Sequence, residues 1–188
     1  LAKDSGLTRA SVSRMLAAVR GLHAFSLKEK WTSRDVCSQL IPSKAALTLP
    51  KALTVEETIR LVEALSASES IVDMRDYAVA EFLYATGARI SEVCQLTLDD
   101  LDFDSRTVRL FGKGGKTRVV PFGTSAASAL ERYIVRSRPT LVHETTNYVF
   151  LNRKGLPLGR QSAFKAIARC ADLAKVGQRV SPHTLRHC

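Results

Sequence analysis

Thr107-Val108-Arg109-Leu110-Phe111-Gly112-Lys113-Gly114-Gly115-Lys116-Thr117-Arg118-Val119-Val120-Pro121 is where the hydrophobic period of this chain changes. Upstream, apolar residues recur every three or four positions. Here they alternate, in two β-prone runs on either side of a tip rich in glycine and lysine, which reads as a β-hairpin. Tyr148-Val-Phe-Leu151 is available as a third strand. Helical spacing governs most of the rest, so the expected class is mainly α with a small antiparallel β-sheet, an α+β chain.

On the N-terminal side of the hairpin, Thr54-Val55-Glu56-Glu57 has the form of a capping box and opens a helix through Leu61, Val62 and Leu65. Further helices are expected from about Val72 to Tyr84 and from Gly87 to about Leu96. Beyond the hairpin they run from Thr124 to about Arg136, from Arg160 to about Ala174, and onward from Ser181. At the start of the chain Val12, Met15, Leu16, Val19, Leu22 and Phe25 form an apolar stripe from Thr8 to about Lys30, with Arg9, Arg14, Arg20 and Lys28 on other faces. Leu1 to Arg14 also imitates a helix-turn-helix pivoting on Gly6, although the periodic pattern runs past the length of a recognition helix. Pro42, Ser43, Lys44 and Pro50 fall in a stretch without period, the composition of a linker. The expected organisation is therefore a helical domain over 1–41, a linker over 42–51 and a second domain over 52–188. Because the chain opens on Leu1 and stops one residue after His183-Thr-Leu-Arg-His187, it is expected to be a fragment of a longer protein.

The chain has 188 residues, 45% of them hydrophobic and 24% charged, which suits a folded protein with a substantial core. No apolar run reaches the length of a spanning helix, no signal peptide is evident, and a membrane is not expected as a partner. A net charge of +10, from 28 basic and 18 acidic residues, favours a polyanionic partner, nucleic acid first; a basic but merely solvated surface is the bland alternative. Cys37, Cys94, Cys170 and Cys188 are far apart and form no C-x-x-C pair. They read as reduced packing residues of a cytoplasmic protein, with neither a disulfide frame nor a metal site.

Three places carry possible chemistry. Ser181-Pro182-His183 is a helix start, and His183 and Arg186, three apart, can share one face beside the free N–H groups of that first turn, an arrangement suited to a phosphate. A surface histidine and an ion-paired arginine would look the same. Arg89 follows Gly87, where one helix ends and another begins; Thr86 is expected to cap the second, with Arg89 in its first turn, and Glu92 at i+3 offers a plain salt bridge. Lys113 occupies the hairpin tip, where glycines let backbone approach a partner closely, but Lys113, Lys116 and Arg118 could equally decorate a solvated turn. The tip is not a nucleotide-binding loop, since the G-x-x-x-x-G-K-[ST] pattern is missing.

Taken together, Thr86-Gly-Ala-Arg-Ile-Ser-Glu92, Leu96-Thr-Leu-Asp-Asp-Leu-Asp102, Gly112-Lys-Gly-Gly-Lys-Thr-Arg118 with Val120-Pro121, and His183-Thr-Leu-Arg-His187 resemble the tyrosine recombinases, in particular the bacterial Xer and phage-type integrase group. Order and spacing agree along nearly the whole chain. The resemblance implies a catalytic domain preceded by part of a helical core-binding domain, with the two clamping double-stranded DNA. It assigns Arg89 and Arg186 as catalytic arginines, Lys113 as the hairpin lysine and His183 as the next motif position. Arg9, Arg14, Lys116, Arg118, Arg160, Gln161 and Lys165 are the expected DNA contacts, Gln161 being able to read a base edge and the basic groups being suited to phosphates.

The implied chemistry suits these residue types. When a tyrosine hydroxyl attacks a phosphodiester, charge accumulates on the non-bridging oxygens, and two forked guanidiniums stabilise it. Lys113 would protonate the departing 5′ oxygen and His183 would assist proton transfer or hold the phosphate. No cofactor and no metal is called for. The 3′-phosphotyrosyl intermediate keeps the phosphodiester energy, and a homo- or hetero-tetramer on two duplexes is the implied assembly. Tyr77, Tyr84, Tyr133 and Tyr148 match no nucleophile position, so the chain alone is not expected to cleave DNA. A DNA-binding module without catalysis is the alternative function; a basic protein bound to a membrane surface or ribosome leaves the motif order unexplained.

Overall fold

The computed structural model describes residues 7–37, 40, 53–178 and 180–186, the side chains of residues 9, 10 and 113 excepted. Leu1–Gly6, the expected linker over 42–51 and the terminal His187 and Cys188 thus lie outside the described residues. The chain divides into two compact units, Leu1–Lys51 and Ala52–Cys188.

The first unit holds one long helix, α1 (Arg9–Lys28). Thr8 caps it, its hydroxyl accepting from the Ser11 N–H at 3.2 Å. The helix ends where Lys30 turns left-handed at φ 59°. Its twenty-residue course is continuous, so the described part of the helix-turn-helix imitation contains no turn. Met15, Val19, Leu22 and Phe25 lie exposed along it, and Trp31 meets Phe25 edge-on at 5.4 Å.

The second unit opens with α2 (Val55–Glu63), where both halves of the Thr54 and Glu57 capping box are made, at 3.1 and 3.0 Å. Next come α3 (Ile71–Thr86) and α4 (Ile90–Gln95). Strands β1 (Leu101–Asp102), β2 (Thr107–Phe111) and β3 (Thr117–Pro121) form an antiparallel sheet in that order. In the hairpin Leu110 opposes Arg118 and Phe111 opposes Thr117. Helix α5 (Thr124–Arg132) runs through a π turn (Tyr133–Ser137) into α6 (Arg138–Leu141), five residues beyond the expected end near Arg136. Helices α7 (Arg160–Leu173) and α8 (Pro182–Arg186) complete the unit. Among the described residues no helix is long and apolar enough to cross a membrane.

The third strand is not the expected one. Tyr148 makes a single bridge with Thr97 and Leu151 one with Pro157, whereas β1 supplies the sheet's third member. The physical reason is burial: Val149, Phe150 and Leu151 are all inside, so this run is core packing without the alternation of a half-exposed strand.

Helix α3 runs through the core and is buried on most of its circumference, the charged Asp73, Arg75, Asp76 and Glu81 included. Phe82 on it meets both Phe122 and Phe150, and Tyr133 stacks on Phe150 at 5.6 Å. Each fully buried side chain such as Phe82, Leu83 or Leu130 contributes about 1.5–3 kcal/mol of transfer free energy. The core of this second unit also takes in polar side chains, each of them partnered among the described residues. Arg75 donates through Nε and Nη2 to Asp76 Oδ1, at 2.9 and 2.6 Å, and through Nη1 to the Leu151 carbonyl at 3.1 Å. The Tyr133 hydroxyl donates to the Val149 carbonyl and accepts from the Leu151 N–H, each at 3.1 Å.

Candidate functional site

Two helix starts, far apart in sequence, wall one cavity. At the first, α3 stops because Gly87 adopts φ 56°, left-handed backbone that favours glycine, and its N–H returns to the Leu83 carbonyl. The expected cap by Thr86 is not made: its hydroxyl donates back to Phe82 O at 2.6 Å and accepts from Ala88 N. Arg89, expected inside the first turn, is itself the N-cap of α4. Its N–H donates to Glu92 Oε2 at 2.7 Å, closing the turn from within. At the second start, Ser181 and Thr184 cap each other reciprocally, Ser181 N to Thr184 Oγ1 at 3.1 Å and Thr184 N to Ser181 Oγ at 3.4 Å. That short turn brings His183 and Arg186 round, while Leu185 anchors it in the core.

The resulting cavity, about 230 Å³, is lined by Ala88, Arg89, Ile90, Ser91, Arg160, Pro182, His183 and Arg186. Three guanidiniums and an imidazole face a space with no carboxylate in its lining. Arg89 has one side-chain contact, from Nη1 to Glu92 Oε1 at 3.0 Å, leaving Nε and Nη2 without a protein acceptor among the described residues. Arg160 and Arg186 have neither a hydrogen bond nor an ion pair among them. Gly87 lies against the second arginine, an added Cβ there falling 3.9 Å from Arg186 Cγ. Such a concentration of cationic donors suits an oxyanion with several acceptor oxygens.

Two larger depressions are worse candidates for a polyanion. One, of about 450 Å³, is walled by Glu92, Asp99 and Asp100, and its Arg109 is already paired with Asp100 at 3.2 Å. The other, of about 580 Å³, mixes Glu69 and Glu131 with Arg132 and Arg136. Charge, not volume, picks the site.

Glu92 is the carboxylate behind the cavity wall. It is buried, and burial alone would push its pKa up. Hydrogen bonds from Arg118 and from the backbone and guanidinium of Arg89 outweigh that and hold it at about 2. Arg118 contributes a forked pair, Nη1 to Oε1 at 2.8 Å and Nη2 to Oε2 at 2.7 Å.

The structure thus brings together three residues of the expected catalytic set, Arg89, His183 and Arg186. The side chain of the fourth, Lys113, lies outside the described residues; its backbone forms a single 3₁₀ turn at the hairpin tip, with Gly114 and Gly115 at φ 77° and 74°. Of the expected DNA contacts, Arg14, Lys116, Gln161 and Lys165 are exposed, and the side chain of Arg9 is not described. Arg160 lines the cavity, and Arg118 is engaged by Glu92. Glu92 as a hub of two arginines was visible in sequence only as a partner of Arg89. Among the described residues one group has metal-ligating atoms close together: His23, Asp35 and Cys37 in the N-terminal unit, within 4.8 Å of one another. Asp35 Oδ1 already accepts from the Cys37 N–H there, at 2.9 Å.

Residues 51–188 match the model of the phage integrase family. The chain is 41% identical over 186 residues to tyrosine recombinase XerD of Corynebacterium glutamicum, covering 98% of this chain and 61% of that protein. It is 44% identical over 192 residues to tyrosine recombinase XerD of Mycobacterium tuberculosis, covering 98% and 62%. The chain therefore spans about three fifths of the length of these relatives. Among solved structures, XerA recombinase matches with TM-score 0.63 and 30% identity, over 74% of this chain and 49% of that one. XerH site-specific recombinase, solved in a post-cleavage complex with its palindromic difH substrate, matches with TM-score 0.77 and 24% identity, over 97% and 55%.

Proposed function

The chain belongs to the phage integrase family, and from that premise we propose that it carries the phosphate-clamping part of a tyrosine-type, site-specific DNA recombinase. One observation supports this reading above the rest: Arg89, His183 and Arg186, from helix starts almost a hundred residues apart, line one cavity free of carboxylates. In this account the scissile phosphate sits between Arg89 and Arg186, which neutralise charge on its non-bridging oxygens as the attacking oxygen bonds to phosphorus. Each arginine contributes on the order of a thousandfold in rate, by analogy with other phosphoryl-transfer arginines. His183 holds the phosphate or takes part in proton transfer, and Lys113 protonates the departing 5′ oxygen. The P–O5′ bond breaks as the P–O(Tyr) bond forms, so one phosphoester replaces another and rejoining needs no ATP. None of the four tyrosines of this chain lines the cavity, and the attacking hydroxyl is supplied from outside these 188 residues.

On the same reading residues 1–41 are the C-terminal part of a core-binding domain, 42–51 a linker and 52–188 catalytic domain, in keeping with the division into compact units at residue 51. Double-stranded DNA is the partner, held by a homo- or hetero-tetramer in the cytoplasm. Arg14, Lys116, Arg160, Gln161 and Lys165 supply phosphate and groove contacts. The test uses the full-length gene product and a nicked duplex carrying the sequence it selects from a random library. A detergent-resistant covalent adduct that Arg186→Ala abolishes is expected. Tight DNA binding with no adduct would instead support a non-catalytic DNA-binding protein, and an adduct undiminished in Arg186→Ala would sink the clamp.

A further inference from the structure

We infer that Arg118 is a positioning residue for Arg89: its guanidinium fixes the Glu92 carboxylate, which in turn fixes Arg89 at the wall of the phosphate cavity. The inference rests on the cleavage chemistry proposed above and deepens it. Arg118 was expected to touch DNA; in the structure it pairs with Glu92. Both its terminal nitrogens are committed to the two oxygens of one buried carboxylate, at 2.8 and 2.7 Å, with the Glu92 side chain only 3% exposed. A DNA phosphate would have to draw on the three N–H groups that this fork leaves over.

The same two oxygens receive Arg89. Oε2 takes its backbone N–H at 2.7 Å, which defines the start of α4, and Oε1 takes Nη1 at 3.0 Å. Arg89 reaches each oxygen once; the fork from β3 adds a second donor to each, which stiffens the plane of the group and therefore the direction of the donors it meets. A lysine, with a single ammonium, cannot lock it in this way. The link also anchors the neck of the hairpin. Gly112 N–H donates to the Lys116 carbonyl at 2.7 Å, and a Cβ on Gly112 would lie 3.7 Å from both Arg118 Nη1 and Glu92 Oε1. The tip turn thus leaves the sheet from a point packed on the ion pair.

The experiment compares Arg118→Gln, Arg118→Lys, Glu92→Gln, the Arg118→Gln/Glu92→Gln double variant and Arg89→Ala in the full-length product. It measures DNA affinity across a salt series and the single-turnover rate of adduct formation at saturating DNA. Arg118→Gln should lower the rate roughly 10- to 100-fold, the scale of a misplaced catalytic group, with DNA affinity and its salt dependence unchanged. Arg118→Lys should recover part of the loss, and the double variant should be no slower than Glu92→Gln alone. An Arg118→Gln protein that keeps its rate but binds DNA with a salt slope shallower by about one is a lost phosphate contact and overturns the inference. So do losses that multiply in the double variant. Should Arg118→Gln fail to fold, as judged by circular dichroism, Arg118→Lys decides: an intermediate rate supports positioning and an undiminished rate refutes it. Arg89→Ala separates the levels. If it cleaves normally the proposed function fails; if it is dead while Arg118→Gln is unaffected, only this inference does.

Discussion

Replacing Glu92 by glutamine tests the electrostatic keystone of the site through stability alone, without DNA. The carboxylate is buried and accepts four hydrogen bonds, from Arg89 N, Arg89 Nη1 and the two Nη atoms of Arg118, at 2.7, 3.0, 2.8 and 2.7 Å. An amide keeps one acceptor oxygen and turns an NH₂ group toward donors that need one, leaving two guanidiniums facing a neutral group. Removing one partner of such a buried cluster costs about 3 kcal/mol, and Tm should fall by about 10 °C for a unit of this size. The pH dependence has a definite sign. Glu92 titrates near 2 in the folded chain and near 4.5 when unfolded, so the advantage of the wild type is full above about pH 5 and shrinks as pH falls toward 2. Urea unfolding of the wild type and Glu92→Gln at pH 7, 5, 4 and 3, followed by circular dichroism, measures the gap. A gap below about 1 kcal/mol at pH 7, or one constant from pH 7 to 3, would refute the reasoning.

Three more outcomes can be checked. Tyr133→Phe leaves the Val149 carbonyl and the Leu151 N–H without their buried hydroxyl and should cost about 1–3 kcal/mol in urea unfolding, against 3–5 kcal/mol for Tyr133→Ala, which also opens a cavity. Gly155→Ala combines left-handed backbone at φ 75° with a Cβ only 2.8 Å from His143 Cδ2 and 3.0 Å from the Leu141 carbonyl; it should lose more than about 1 kcal/mol, whereas Gly177→Ala, with open space around it, should fall within about 0.5 kcal/mol of wild type. Burial pushes the thiols of Cys94 and Cys170 up to about 11 and about 12, so both should resist iodoacetamide at pH 8 until urea is added, with peptide mass spectrometry as the readout; rapid native labelling of either would contradict their placement.

What the sequence made legible was local. The Thr54 and Glu57 capping box, the hairpin and the αL stop at Gly87 depend on neighbours within a few positions, and each forms where its pattern placed it. What was not legible was decided at longer range. Tyr148–Leu151 looked strand-like because it is apolar, yet its burial comes from Phe82 and Tyr133 across the core. Thr86 had the chemistry of a cap, but its hydroxyl turns back into its own helix, a choice the one-dimensional pattern does not distinguish. Arg118 carried the ordinary marks of a DNA-facing basic residue; the carboxylate that claims it lies 26 positions away. Arg160 reached the cavity wall for the same reason, through the packing of α7.

The most direct measurement of the central claim, that one phosphate is held between Arg89 and Arg186, is the single-turnover rate of covalent adduct formation by Arg89→Ala, Arg186→Ala and the double variant of the full-length product. Each single change should cost on the order of a thousandfold, and the double should be only slightly slower than either, because the two groups act on one phosphate as a unit. Undiminished cleavage in either single variant, or losses that multiply in the double, would contradict the account.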